Sequence, residues 1–249
     1  MTGGGRGIGQ AVVRKLASLG ADVVVSARTP TDIEAVAAEV RASGRRAHAV
    51  VADVGDRSGC ETLFREAVDR IVRVDILVNN AGMTHFAPVD IETDEGWHRV
   101  MAVNLHSAFY LTRASIPAMQ ERRWGRIINM GSTSSLKGTA GEPAYTASKR
   151  ALLGLTRAVA IDATPYNVTV NAVCPWYVDT VMARAIAGTE ADRHGESADA
   201  VWKRLEASNP QGRMITPEEV AELVAFLCTK GARPITGQAL VVASGYFTF

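Results

Sequence analysis

The chain has 249 residues, 47% of them hydrophobic, and sets 27 Lys and Arg against 26 Asp and Glu. That length suits one α/β domain, residues 1–249, with a large core. The near-even charge excludes a nucleic-acid partner and an anionic membrane surface, while leaving room for a local basic pocket.

No apolar run approaches the roughly 20 residues of a membrane span, and the glycine-rich opening lacks the form of a signal peptide. Cys60, Cys174 and Cys228 lack metal-ligand spacing and read as reduced thiols of a cytoplasmic protein. Five scattered histidines give no metal site.

In chain order, the first feature is Thr2-Gly3-Gly4-Gly5-Arg6-Gly7-Ile8-Gly9, which leads into a helix expected over 8–19. Gly3 permits a tight turn and Gly7 a close backbone approach, so free N–H groups at the helix start can hold a pyrophosphate. Apolar, β-branched runs follow at 22–26, 46–50, 75–79, 126–130, 168–173 and 239–242, the pattern of parallel strands covered on both faces. Helical patterns alternate with them at 31–43, 57–71, 94–122, 143–163 and 217–228. The last begins at Thr216-Pro217-Glu218-Glu219, with a Thr N-cap, Pro at the first position and acids in the first turn. The alternation predicts a doubly wound, mostly parallel sheet in a three-layer α/β sandwich. Residues 179–212 form the longest insertion, rich in Ala, Gly and charge, expected to hold one or two short helices and to act as a substrate lid.

Several motifs carry chemistry. Asn79-Asn80-Ala81-Gly82 ends one strand, Asn104 lies on the long 94–122 helix, and Ser132 follows the 126–130 strand. Tyr145 stands thirteen positions after Ser132 and heads the spacing Y-x-x-x-K with Lys149; Asn171-Ala172-Val173-Cys174-Pro175 closes a further strand. In this order and spacing, the set resembles the short-chain dehydrogenase/reductase family over essentially the whole chain. The resemblance implies a dinucleotide-binding (Rossmann-like) fold and an oxidoreductase moving a hydride between nicotinamide and a small ketone or secondary alcohol, with Asn104, Ser132, Tyr145 and Lys149 as the catalytic set. It places Gly3, Arg6, Gly7, Ile8, Gly9, Arg28, Asp53, Val54, Asn80, Ala81, Gly82, Tyr145, Lys149, Pro175 and Val178 along the cofactor, and Ser134, Trp176, Met182 and Trp202 around the substrate.

Elementary chemistry gives these roles content. Tyr145 and Lys149 share one helix face. A free tyrosine, with a pKa near ~10, is a poor base at neutral pH. A nearby ammonium and a positive nicotinamide are expected to lower it, so that Tyr145 gives a proton to a forming alkoxide or takes one from an alcohol. Ser132 would hold the substrate oxygen beside Tyr145. Asn104 is implied to hold a water linked to the lysine.

The 22–26 strand ends in Ser26-Ala27-Arg28, without the acid that accepts from an NAD ribose, and Arg28 with Arg6 suits a 2′-phosphate; the expected cofactor is NADP(H) rather than NAD(H).

Two departures from the family stand out. Trp176 follows Pro175 where the family has Gly, and is expected to narrow the pocket or displace its loop. Only Met1 precedes the glycine loop, where the family places its central first strand, as a chain started too late or truncated would show. Its loss is expected to leave unpaired backbone groups and an exposed slot between the 22–26 and 75–79 strands. The family commonly forms homodimers or homotetramers, and apolar runs around Asn104 and Lys149 would supply such an interface. Ketoreductases of 3-ketoacyl or polyketide substrates and secondary-alcohol dehydrogenases all fit; the alternative is a cofactor-binding or scaffold protein of the same fold with impaired turnover.

Overall fold

The computed structural model describes residues 1–247. Among them, strands form where the apolar runs predict: β1 (Val23–Ala27), β2 (Ala47–Val51), β3 (Ile76–Asn79), β4 (Gly125–Met130), β5 (Val168–Pro175) and β6 (Ala239–Val242). Every pairing between them is parallel. β4 and β5 are buried along their whole length, which is why their sequences are nearly continuously apolar rather than alternating.

The helices are α1 (Gly7–Ser18), α2 (Pro30–Ala42), α3 (Arg57–Ile71), α4 (Asp94–Met101), α5 (Ser107–Glu121), α6 (Pro143–Ala163), α7 (Val181–His194), α8 (Ala198–Ser208) and α9 (Pro217–Leu227). Successive strand residues feed opposite layers. Val78, Ile128 and Val173 pack beneath α1 and α9, whereas Leu77, Ile127 and Val170 pack beneath α3, α5 and α6. Ile33, Val36 and Val40 of α2 cover β1 and β2. This is the expected doubly wound α/β sandwich. The start of α9 also forms as expected: Thr216 Oγ1 accepts from Glu219 N, and the Glu219 carboxylate accepts from Thr216 N. Arg213 pairs with that carboxylate and helps hold it at about 2.

Two expectations need refinement. The helix expected over 94–122 is interrupted at Ala102–His106 by one π-helical turn between α4 and α5. Such turns widen the backbone ladder and re-aim side chains, and this one carries Asn104. The sheet is divided into β1–β2 and β3–β4–β5–β6, so the expected gap lies between β1 and β3. It is partly filled. Met1 O accepts from Ser26 N at 3.0 Å, Thr2 N donates to Val78 O at 3.2 Å, and the Met1 amine donates to Val24 O at 3.0 Å. The flanking Val24, Val25, Leu77 and Val78 are all buried, so the slot is less exposed than expected.

Candidate active site

The strands β3, β4 and β5 end side by side, and the glycine loop, Ser132 and Trp176 follow from that edge, where open α/β sheets bind ligands. The glycine loop is held by a brace the sequence did not reveal. Thr2 Oγ1 accepts from both Asn80 N and Ala81 N at 3.0 Å, and Asn80 Nδ2 donates to Thr2 O and Gly3 O. Asn80 and Ala81, expected along the cofactor, therefore also fix its cradle. Gly3 sits at φ +61° against Ala81, and a Cβ on Gly9 would lie 2.0 Å from Gly3 O; both positions exclude a side chain.

A cofactor phosphate fits here on the structure's own terms. α1 has no acid in its first turn and no side-chain cap, so its leading N–H groups remain available to an anion. Arg6, at the N-cap, and Arg28, just beyond β1, are exposed, and neither forms an ion pair among the described residues. Ile8 is half-buried at the helix start and packs toward the core over Val78. Asp53 follows β2. Burial acts to raise its carboxyl, but the Gly55 N–H, Arg99 and the charge of Arg28 hold it below the usual range. Arg99, not anticipated from the sequence, reaches Asp53 at 2.7 Å from α4. Val54 beside it is buried.

The structure brings the four residues expected to be catalytic together. Ser132 caps the short turn Thr133–Ser135, with Oγ accepting from Ser134 N at 3.1 Å. Tyr145 and Lys149 lie one turn apart on α6, the Lys149 ammonium 5.6 Å from the Tyr145 ring. Lys149 is 4% exposed and donates to Met130 O at 2.8 Å. Asn104 donates to Met83 O and Ser148 Oγ and accepts from Met83 N. Ser148 in turn donates to Tyr145 O, so the π-turn, the loop after β3 and α6 are locked together. A Cβ on Gly82 would sit 3.4 Å from Asn104 Oδ1 and 3.5 Å from Lys149 Nζ; glycine leaves open the space between them.

The electrostatics correct one expectation. Burial pushes the Tyr145 hydroxyl up to about 12, with Ser132 lowering it against that trend. Lys149 does not bring it down; burial brings Lys149 itself down to about 8. Tyr145 therefore holds its proton at neutral pH, which suits a proton donor to a forming alkoxide.

The substrate-pocket expectations divide. Ser134 is buried, its hydroxyl 2.8 Å from that of Thr139. Met182, at the start of α7, is 43% exposed. Pro175 ends β5, and the segment beyond it is pinned behind by Val178, buried and paired with Ile215. Trp176 turns toward the C-terminal segment. It stacks on Tyr246 at 3.9 Å and 9°, with the Lys137 ammonium over both rings and donating to the Tyr246 hydroxyl. That clamp joins the loops after β4, β5 and β6.

Trp202 lies on α8. Its ring lies under Arg184, its Nε1 donates to Glu206, and it packs on the cluster that joins α7 to α8. That cluster also takes in Met214, with Tyr177 packed against it. The cluster rests on Ala183, Ala187 and Ala191 against Val201 and Leu205.

Comparison with known proteins agrees with this architecture. Residues 3–247 match a family model described as enoyl-(acyl carrier protein) reductase. The chain is 40% identical to the monensin polyketide synthase putative ketoacyl reductase of Streptomyces virginiae, over 100% of this chain and 96% of that one. It is 34% identical to a D-beta-hydroxybutyrate dehydrogenase of Cupriavidus necator, over 95% and 92% of the two chains. Among solved structures, a variant of the actinorhodin polyketide ketoreductase with NADPH superposes with a TM-score of 0.95 at 36% identity, covering 99% of this chain and 95% of that one.

Proposed function

The chain belongs to the short-chain dehydrogenase/reductase family, and from that premise we propose that it is an NADPH-dependent ketoreductase acting on a 3-ketoacyl or polyketide-type carbonyl. The observation that carries this reading is the half-buried Tyr145 bonded to Ser132 with Lys149 one helical turn on, in a chain whose glycine loop carries Arg6 and whose β1 leads to Arg28. The likeness to two polyketide ketoreductases, one of them solved with NADPH, supports it. A binding or scaffold role is not favoured, because Asn104, Ser132, Tyr145 and Lys149 are all present and assembled.

NADPH, when bound, supplies the hydride that goes to the carbonyl carbon. The chain's own residues do the rest. Ser132 Oγ and the Tyr145 hydroxyl bond the carbonyl oxygen and fix its orientation. As charge develops there, Tyr145 gives up its proton. Lys149, held by Met130 O one helical turn from Tyr145, would bond the nicotinamide ribose and so position the cofactor beside that tyrosine. Asn104 keeps the lysine-bearing helix in register with the loop after β3. Arg28 and Arg6 receive the 2′-phosphate, with Arg28 supplying a planar fork of donors.

The α7–α8 pair serves as a lid over this site, and the chain assembles in the cytoplasm as a homodimer or homotetramer. Support for assembly is narrower than the sequence suggests. Val103, Ala108, Leu111 and Leu152 are buried within the chain, leaving Phe109 at 40% and Ile161 at 75% exposed. A monomeric mass by light scattering would remove the assembly claim. The functional claim is tested by NADPH titration followed by turnover on a panel of ketones; NADPH binding without turnover of any ketone would contradict it.

A further inference from the structure

Glu142 takes no part in the chemistry above, yet it stands one helical turn before Tyr145, at the start of α6. Its half-buried side chain accepts a 2.5 Å hydrogen bond from the Thr84 hydroxyl, in the loop after β3. Burial pushes its carboxyl above the usual range, against Thr84 and the charge of Arg193, which lower it. After burial and, for Tyr145, the opposing Ser132 bond, Glu142 is the next influence on the hydroxyls of Tyr145 and Tyr177 and raises both. Three residues before Tyr145 and bonded to Thr84, it lies where the start of α6 meets the loop after β3, the two segments that flank Tyr145 and Asn104.

Among the described residues no cation forms an ion pair with Glu142. The Phe86 ring covers Gly141, where a Cβ would lie 2.0 Å from a ring carbon. Arg193, exposed at the end of α7, lies over the outer side of Phe86. Among the described residues it forms no ion pair with Glu142. Ionised, Glu142 repels a second carboxylate; protonated, it still offers no cation to receive one. In either state it accepts a hydrogen bond from a hydroxyl or amide N–H.

We infer that Glu142 is a specificity-determining residue that selects a neutral carbonyl substrate, such as a thioester or ester, over one bearing a free carboxylate beside the reacting carbon. The inference rests on the ketoreductase reading and narrows its substrate class. It separates this chain from its relative named for D-beta-hydroxybutyrate, whose carboxylate stands one methylene from the alcohol carbon. A substrate anion about 6 Å from a partly buried carboxylate meets a repulsion equivalent to roughly 100-fold in binding.

The test compares acetoacetate with methyl acetoacetate on the unsubstituted enzyme and on Glu142→Gln, each saturated with NADP+. The oxidised cofactor has no hydride to give, so calorimetry reads binding without turnover. The unsubstituted enzyme is expected to favour the ester by about 100-fold, and Glu142→Gln to narrow that ratio at least tenfold. Equal affinities in the unsubstituted enzyme, or a ratio unmoved by the substitution, would overturn the inference. Glu142→Ala provides the same comparison if the glutamine variant does not fold. Turnover of methyl acetoacetate with NADPH is a separate arm: its absence would sink the ketoreductase reading, while the binding ratio still decides the role of Glu142.

Discussion

The Lys149 ammonium donates to Met130 O at 2.8 Å, so the last residue of β4 anchors α6 through a charge almost withdrawn from water. Folding lowers this lysine from 10.5 to about 8. Between those values the unfolded chain binds more protons, so stability rises with pH across that window and the cost of the buried ammonium is fully present below it. That cost is on the order of 3 kcal/mol. Lys149→Met removes it. The stability advantage of the methionine variant should be greatest below pH 8 and shrink by about 3 kcal/mol toward pH 10.5, measured by urea unfolding at a series of pH values. A difference that does not change with pH would contradict the assignment.

Arg28 is exposed at the end of β1 without an ion-pair partner among the described residues. If it binds the 2′-phosphate, a charge-assisted bond of about 1.5–3 kcal/mol is at stake, roughly 10–100-fold in preference. Arg28→Asp should lower kcat/KM for NADPH relative to NADH by at least that range. Steady-state kinetics with both cofactors checks it, and equal kcat/KM for the two in the unsubstituted enzyme would count against the phosphate site.

Gly9 lies in the first turn of α1, where a Cβ would meet Gly3 O at 2.0 Å. Backbone must move to admit it, so Gly9→Ala should lose about 1–3 kcal/mol of stability and weaken NADPH binding together. Thermal unfolding with and without NADPH reads both. A fully stable variant that still binds NADPH would show that the loop is not the cradle described.

The α7–α8 pair rests on a small cluster of its own, Ala183, Ala187, Ala191, Val201, Leu205 and Met214 with Tyr177 and Trp202 against it, apart from the larger cores under the sheet, and fewer buried contacts mean lower local stability. Hydrogen exchange over 181–208 should be faster than over β4 and β5 and should slow when NADPH and a substrate analogue are added. Slow exchange unchanged on binding would make the pair structural and not a lid.

Much of this was legible because the signals are local. The β-branched runs gave the strands, Thr216-Pro217 gave the start of α9, and the spacing from Tyr145 to Lys149 put both on one face of α6. What stayed hidden depends on contacts far apart in sequence. The π-turn at Asn104 reflects its bonds to Met83 and Ser148, which a helical pattern cannot reveal. The contacts of Trp202 with Arg184 and Glu206 likewise join α7 to α8 and are not apparent from its spacing. The direction of the Tyr145 shift turned on burial, which outweighs the lowering bond from Ser132. Glu142 and Arg99 had only one available signal, an acid or base beside a known motif, and charged residues at such positions are usually solvated.

The central claim is that Tyr145, holding its proton at neutral pH, is the acid of an NADPH-dependent ketone reduction. Its most direct test is the rate of NADPH oxidation by methyl acetoacetate or a 3-ketoacyl thioester, measured for the unsubstituted enzyme and for Tyr145→Phe at saturating cofactor. The account predicts a drop in kcat of at least ~10²-fold, with the Kd for NADPH changed by only a few-fold. A Tyr145→Phe enzyme that reduces the ketone at close to the unsubstituted rate would contradict it.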